Sequence, residues 1–175
     1  MTSRDPNDHL ALLAEVADSL TGAGIRVWLS GGWAMDFHAR SITRPHSDID
    51  LIVGAADRPE LWSVLRSSDL LSGEIVQGVH VEHFLRAGVQ VEFTYIASTS
   101  GGQIITPGLE SWPWPAESFP DELVTFRGVS IRLVSLTGLL DMKTNYAAHF
   151  DVPLRPHDVA DIEALNRLVR MQLAE

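Results

Sequence analysis

Two aspartates one residue apart, Asp48 and Asp50, open the apolar run Leu51-Ile52-Val53. Side chains alternate across a strand, so both carboxylates share one face while Ile49 and Leu51 take the other. Like charges this close are unfavourable unless a cation sits between them, which suits a divalent metal ion. The pair alone is a common pattern. With 13 Asp among 175 residues, about one Asp-x-Asp arises by chance, so its meaning rests on its surroundings.

Those surroundings point one way. Glu92 lies within Val89-Gln90-Val91-Glu92-Phe93-Thr94-Tyr95, where alternation turns it away from Val91 and Phe93. If that strand pairs beside the first, three carboxylates converge. Upstream, Ser30-Gly31-Gly32 follows the β-rich run Arg26 to Ser30 and precedes a breaker-free stretch from Trp33 to Arg40. Bare amides and the positive end of a helix at that point can hold phosphate. Arg44 and His46 stand on the loop leading into the aspartates.

The rest of the chain reads as alternating helices and strands. Leu10, Leu13, Val16, Ala17 and Leu20 keep helical spacing over 8–21, with Asp8 as the expected N-cap and Gly22 or Gly24 as the stop. Asp57-Arg58-Pro59 begins a helix containing Leu61, Val64 and Leu65. Val79 to Leu85 and Val89 to Ile96 form a hairpin about Arg86-Ala87-Gly88, and Leu123 to Phe126 with Val129 to Val134 form another about Arg127-Gly128. Residues 98–120, rich in Gly, Pro, Ser and Trp, read as a long irregular loop of the kind that often carries function. Helices follow at about 135–149 and 157–173. His80-Val81-Glu82-His83 invites a zinc reading, but alternation places His80 and Glu82 on one face and His83 on the other, which favours a structural or substrate-facing role.

Charge narrows the partners. Lys and Arg number 13 against 23 Asp and Glu, a net of -10, which disfavours nucleic-acid polymers and attracts small cations. Twelve of the cations are Arg, and Lys143 is the single lysine. Cysteine is absent, so disulfides, thiolate zinc sites and cysteine nucleophiles are excluded. The first eight residues lack a targeting pattern and no run approaches the ~18 apolar residues of a membrane helix. A cytoplasmic protein without membrane partners, monomer or homodimer, is expected.

The segments Trp28-Leu29-Ser30-Gly31-Gly32-Trp33-Ala34-Met35-Asp36 and Thr43-Arg44-Pro45-His46-Ser47-Asp48-Ile49-Asp50 resemble the signature of small antibiotic nucleotidyltransferases. These are the aminoglycoside 2″-adenylyltransferases and lincosamide nucleotidyltransferases of the DNA polymerase β-like superfamily. The match covers residues 28–53. Gly31-Gly32 stands where the wider superfamily has Gly-Ser, Ala39 where a glycine is frequent, and Glu92 where Asp is frequent.

The resemblance implies an α+β fold, a mixed β-sheet nucleotidyltransferase core flanked by helices. The core would occupy 1–134, with its long loop at 98–120, and a C-terminal helical region 135–175 would pack on it. It also implies an enzyme in which Asp48, Asp50 and Glu92 bind two Mg²⁺ ions. Glu92 serves as general base, with Glu82 as its competitor. Ser30, Gly31, Gly32, Arg44, His46 and Lys143 would hold ATP or another nucleoside triphosphate. Asp36, Glu82, Glu110, Trp112 and Trp114 would receive a small cationic acceptor, an antibiotic of the aminoglycoside or lincosamide kind. The alternatives are a transferase acting on a protein or metabolite, as in toxin–antitoxin systems, and an inactive nucleotide-binding protein of the same fold.

Overall fold

The computed structural model describes residues 5–71, 74–78 and 80–174; Val79, the expected start of a strand, lies outside them. The chain runs α1 (Pro6–Gly22), β1 (Val27–Leu29), α2 (Gly31–Ala39), β2 (Asp48–Gly54), a 3₁₀ turn (Ala55–Asp57), α3 (Arg58–Ser67), β3 (Val76–Gln77), β4 (Val81–Arg86) and β5 (Val89–Ser98). It continues through β6 (Ile104–Ile105), β7 (Leu123–Phe126), β8 (Val129–Leu133), α4 (Leu136–His149) and α5 (Pro156–Gln172). Among the described residues one sheet forms in the order β3-β4-β5-β2-β1-β8-β7, and β6 pairs with the far end of β5. The β2/β5 and β1/β8 pairs are parallel and the others antiparallel, so the sheet is mixed and the fold is α+β.

Several boundaries depart from the sequence reading for local reasons. Pro6 in the first turn starts α1 early, and the side chain of Asp5, not Asp8, caps it by accepting from the Asn7 amide at 2.9 Å. The segment 98–120 is not wholly irregular, because Ile104 and Ile105 add a short strand opposite Ser98 and Ala97. Both hairpins turn on two residues with positive φ, Ala87-Gly88 (50° and 80°) and Arg127-Gly128 (47° and 82°). That is the turn geometry whose twist matches the flanking strands.

A single core lies on the sheet. Leu13, Val16 and Leu20 of α1, Phe37 of α2, Ile49 and Val53 of β2, Leu61 and Leu65 of α3, and Val91 and Phe93 of β5 are sealed from solvent. Burial of each such side chain contributes about 1.5–3 kcal/mol. The apolar parity of β2 and β5 therefore fixes which face of those strands is left for polar groups. Helices α4 and α5 pack on each other, and both touch α2. Among the described residues no helix is long and apolar enough to cross a membrane.

Candidate active site

Parallel pairing of β2 with β5 sets Asp50 directly opposite Glu92 and Asp48 opposite Gln90. Asp48, Asp50 and Glu92 thus share the face opposed to the buried Ile49, Leu51, Val91 and Phe93. Burial, then the charges of Asp48 and Glu92, push the Asp50 carboxyl up to about 7 against the opposing pull of Lys143 and Arg44. Burial and then Asp48 also raise Glu92, while His83 and Gln90 pull it back. Among the described residues Glu92 accepts one hydrogen bond, a long one from Gln90 Nε2 at 3.4 Å.

Among the described residues no three acidic or histidine side chains close tightly enough to enclose a metal ion alone. The donor set is nevertheless all hard oxygen, crowded by like charge and open to a cleft. That fits a cation such as Mg²⁺, which keeps waters and takes one or two carboxylates together with phosphate oxygens.

Next to this floor stands the start of α2 at Gly31, two residues earlier than Trp33. Gly31 has φ +60°, and a Cβ there would overlap the Asp50 carboxylate. At Gly32 it would overlap the His46 ring. Only glycine lets the backbone amides come this close to the carboxylates. Ser30 is the N-cap, yet its side chain makes no cap bond, and its Oγ is buried without a hydrogen-bond partner among the described residues while the residue lines the cleft. An orphaned buried hydroxyl beside a helix N-terminus is suited to a phosphate oxygen.

A connected run of side chains supplies the cations. His46 Nε2 donates to Asp36 Oδ2 at 2.6 Å and its Nδ1 accepts from Arg44 Nη1 at 3.2 Å, an arrangement that assigns the proton to Nε2. Arg44 then grips Asp161 through Nε (3.3 Å) and Nη2 (3.0 Å). Lys143 Nζ lies 3.0 Å from both Asp161 and Asp158, and Arg155 Nε donates to Asp158 at 2.7 Å. Burial raises Asp161 and Asp158, but bonds from Arg44 and Lys143 to the first and from Arg155 and Lys143 to the second outweigh it, so that Asp161 is lowered and Asp158 is held well below the usual carboxylate range. Sequence reasoning missed Asp161 as the shared holder of Arg44 and Lys143; the signal available was Asp158 and Asp161 three residues apart on one helix face.

A cleft of about 1140 Å³ opens above these groups. Asp48, Asp50, Glu92, Ser30, Gly31, Gly32, Arg44, His46 and Lys143 all line it, as do Trp112 and Trp114. The three acidic groups expected to receive an acceptor do not. Asp36, on α2, is fully buried, and it accepts from the Thr43 amide (3.0 Å), Thr43 Oγ1 (2.6 Å) and His46. Its position one turn inside a helix that begins at Gly31 points it inward. Glu110 is exposed outside the cleft and accepts from the Gly108 amide at 2.8 Å.

Glu82 pairs opposite Phe93, on the reverse face of the sheet from Glu92. Arg58 (Nε 2.9 Å, with Nη2 as well), Trp62 Nε1 (2.8 Å) and Tyr95 Oη (2.5 Å) all donate to it. It can serve neither as base nor as acceptor wall. His80 adopts φ 65° before β4 begins, so strand parity does not extend to it, and it lines the cleft with Val81. His83 pairs opposite Glu92.

Comparison with known proteins extends this geometry. A family model described as Aminoglycoside-2''-adenylyltransferase matches residues 12–165. Over 69 residues the chain is 28% identical to 2''-aminoglycoside nucleotidyltransferases of Escherichia coli and Klebsiella pneumoniae. That segment is 39% of this chain and 37% of each relative, so the match spans little more than a third of their length. The solution structure of antibiotic-resistance factor ANT(2'')-Ia superposes with a TM-score of 0.74 at 20% identity, over 95% of this chain and 85% of that one. Lincomycin-bound LnuA, a lincosamide antibiotic adenylyltransferase, superposes at 0.69 and 19% identity, over 90% and 96%. At these identities the structural likeness establishes a common fold.

Proposed function

The chain belongs to the aminoglycoside-2''-adenylyltransferase family, and from that premise we propose that it transfers a nucleoside monophosphate, AMP from ATP, to a hydroxyl of a small antibiotic of the aminoglycoside or lincosamide kind. One observation carries the reading: Asp50 and Glu92 stand side by side on parallel strands, against a glycine that leaves room for nothing larger.

Asp48 and Asp50, completed by Glu92, would hold the magnesium, as two ions in the fuller form of the proposal. Bound there, magnesium supplies neutralisation of the phosphate charge and stabilisation of the attacking and leaving oxygens. Glu92 takes the acceptor hydroxyl proton; its raised proton affinity and sparse hydrogen bonding suit a base. The new bond forms between that oxygen and the α-phosphorus as the bond to pyrophosphate breaks. Backbone amides at Gly31 and Gly32, the free Ser30 hydroxyl, Arg44 and Lys143 bind the phosphates, with His46 holding Arg44 in line. Trp112 and Trp114 border the space for the acceptor.

The test is incubation with Mg²⁺, each nucleoside triphosphate and a panel of aminoglycosides and lincosamides, following pyrophosphate. Release that requires both nucleotide and acceptor is expected. A folded protein that releases none with any pair sinks the transfer reading and leaves a nucleotide-binding protein.

A further inference from the structure

Arg44 stands against the start of α2, and its charge is already met. Asp161 takes Nε at 3.3 Å and Nη2 at 3.0 Å, so the pair attracts little by net charge. What Arg44 can offer a phosphate oxygen is a donor aimed in a fixed direction. Its Nη1 donates to the Pro45 carbonyl at 3.3 Å and to His46 Nδ1 at 3.2 Å. Among the described residues these contacts use four of the five N–H groups of the guanidinium and leave one, on Nη2. Nη2 is also the atom that a Cβ at Gly32 would meet at 3.0 Å, so the remaining donor lies beside the helix start that lines the cleft.

Its direction depends on which nitrogen of His46 carries the proton. Only a bare Nδ1 accepts from Arg44, and a protonated one would set two donors against each other. Nε2 is therefore the donor, and Asp36 Oδ2 receives it at 2.6 Å. The other oxygen of the buried Asp36, Oδ1, takes both the Thr43 amide (3.0 Å) and Thr43 Oγ1 (2.6 Å). Each carboxylate oxygen is thus committed to one side. The His46 ring is closed in by Trp33, at 4.7 Å, and by the bare Gly32, where a Cβ would come within 2.4 Å of Nδ1. Little room is left for the ring to turn over.

We propose that Asp36 is a positioning residue for the nucleotide: through the tautomer of His46 it aims the remaining Arg44 donor at the phosphates. This rests on the nucleotide part of the transfer reading. Asp36→Asn tests it because Thr43 fixes which way the new amide lies. Its carbonyl oxygen stays with the two Thr43 donors, so its NH₂ takes the place of Oδ2 and donates to His46 Nε2. The favoured tautomer then carries its proton on Nδ1, facing Arg44, because the bond made by one ring nitrogen decides the state of the other.

Histidine nitrogen NMR spectra of the full chain, with His46 assigned by comparison with His46→Asn, are expected to show the proton on Nε2 in the parent and on Nδ1 in Asp36→Asn. Calorimetric titration with Mg²⁺ and a non-hydrolysable ATP analogue is expected to show about tenfold weaker binding in Asp36→Asn, the worth of one hydrogen bond to a charged group. Inorganic tripolyphosphate should lose the same factor, since the contact is to phosphate. In His46→Asn, which has no tautomer to set, adding Asp36→Asn should cost nothing further. A proton on Nδ1 in the parent, which is read without any variant, overturns the proposal. So does unchanged affinity in Asp36→Asn, a loss for the analogue without one for tripolyphosphate, or no nucleotide binding by the parent. The same loss in the His46→Asn background also overturns it, since Asp36 would then act through the packing of α2. Binding that follows the expected pattern without pyrophosphate release leaves this inference standing and removes the transfer reading, and release with an unaffected Asp36→Asn variant does the reverse.

Discussion

Glu82 and Glu92 lie on adjacent strands of the sheet and face opposite sides of it. Glu82 is 5% exposed, yet Arg58, then Tyr95 and Trp62, fill its lone pairs and hold its carboxyl at about 2 despite the burial. Glu92 is more accessible and has one long neutral contact, and its carboxyl moves upward. Depth does not separate the two; saturation does. A carboxylate satisfied from within the chain is part of the scaffold, and one left short of donors beside other carboxylates is available to a ligand.

The strongest test of that division is Asp50→Asn, which takes a charge out of the crowded face. Turnover is expected to fall by about two orders of magnitude or more. Added Mg²⁺ should raise the Tm of the parent protein but not of the variant, because the ion would bind the native parent alone. Full turnover in the variant would end the assignment of Asp50.

Glutamine at each glutamate then separates the two sides of the sheet directly. Glu92→Gln is expected to lower kcat by about 10²- to 10⁴-fold with Tm unchanged. Glu82→Gln is expected to cost about 2 kcal/mol of stability, roughly 4–8 °C in Tm, with kcat retained at permissive temperature. The reverse pattern would exchange their roles.

Acid sharpens the contrast further. The Glu82 carboxyl is depressed in the folded chain from 4.5 to about 2, so the unfolded chain binds that proton more readily. Its contribution is fully present above pH 4.5 and is lost as pH falls toward 2. Thermal melts across that window should show a shallower loss of stability in Glu82→Gln than in the parent, and parallel curves would count against the Arg58 pairing. The smallest effect belongs to Lys143→Ala, for which a several-fold rise in nucleotide KM is expected. An unchanged KM would return Lys143 to a purely structural part in holding Asp158 and Asp161.

What could be read in advance follows the reach of each physical rule. Alternation over residues 48–53 and 89–95 gave the shared face of Asp48, Asp50 and Glu92, since both strands are long enough for parity to hold. Parity failed at His80, where a left-handed residue interrupts the count. It also gave no warning that Glu82 would find Arg58, 24 positions away, waiting beneath the sheet. Asp36 looked like a free acid because its partners are a threonine and a histidine on the next loop, whose proximity depends on where α2 begins.

Arg44 and Asp161 meet across 117 positions of sequence. Both holders of Arg44 and Lys143, Asp161 and Asp158, lie on α5, whereas the carboxylates of the floor lie on β2 and β5. The alignment of Arg44 and Lys143 over the cleft is therefore a property of α5 docking and not of the sheet.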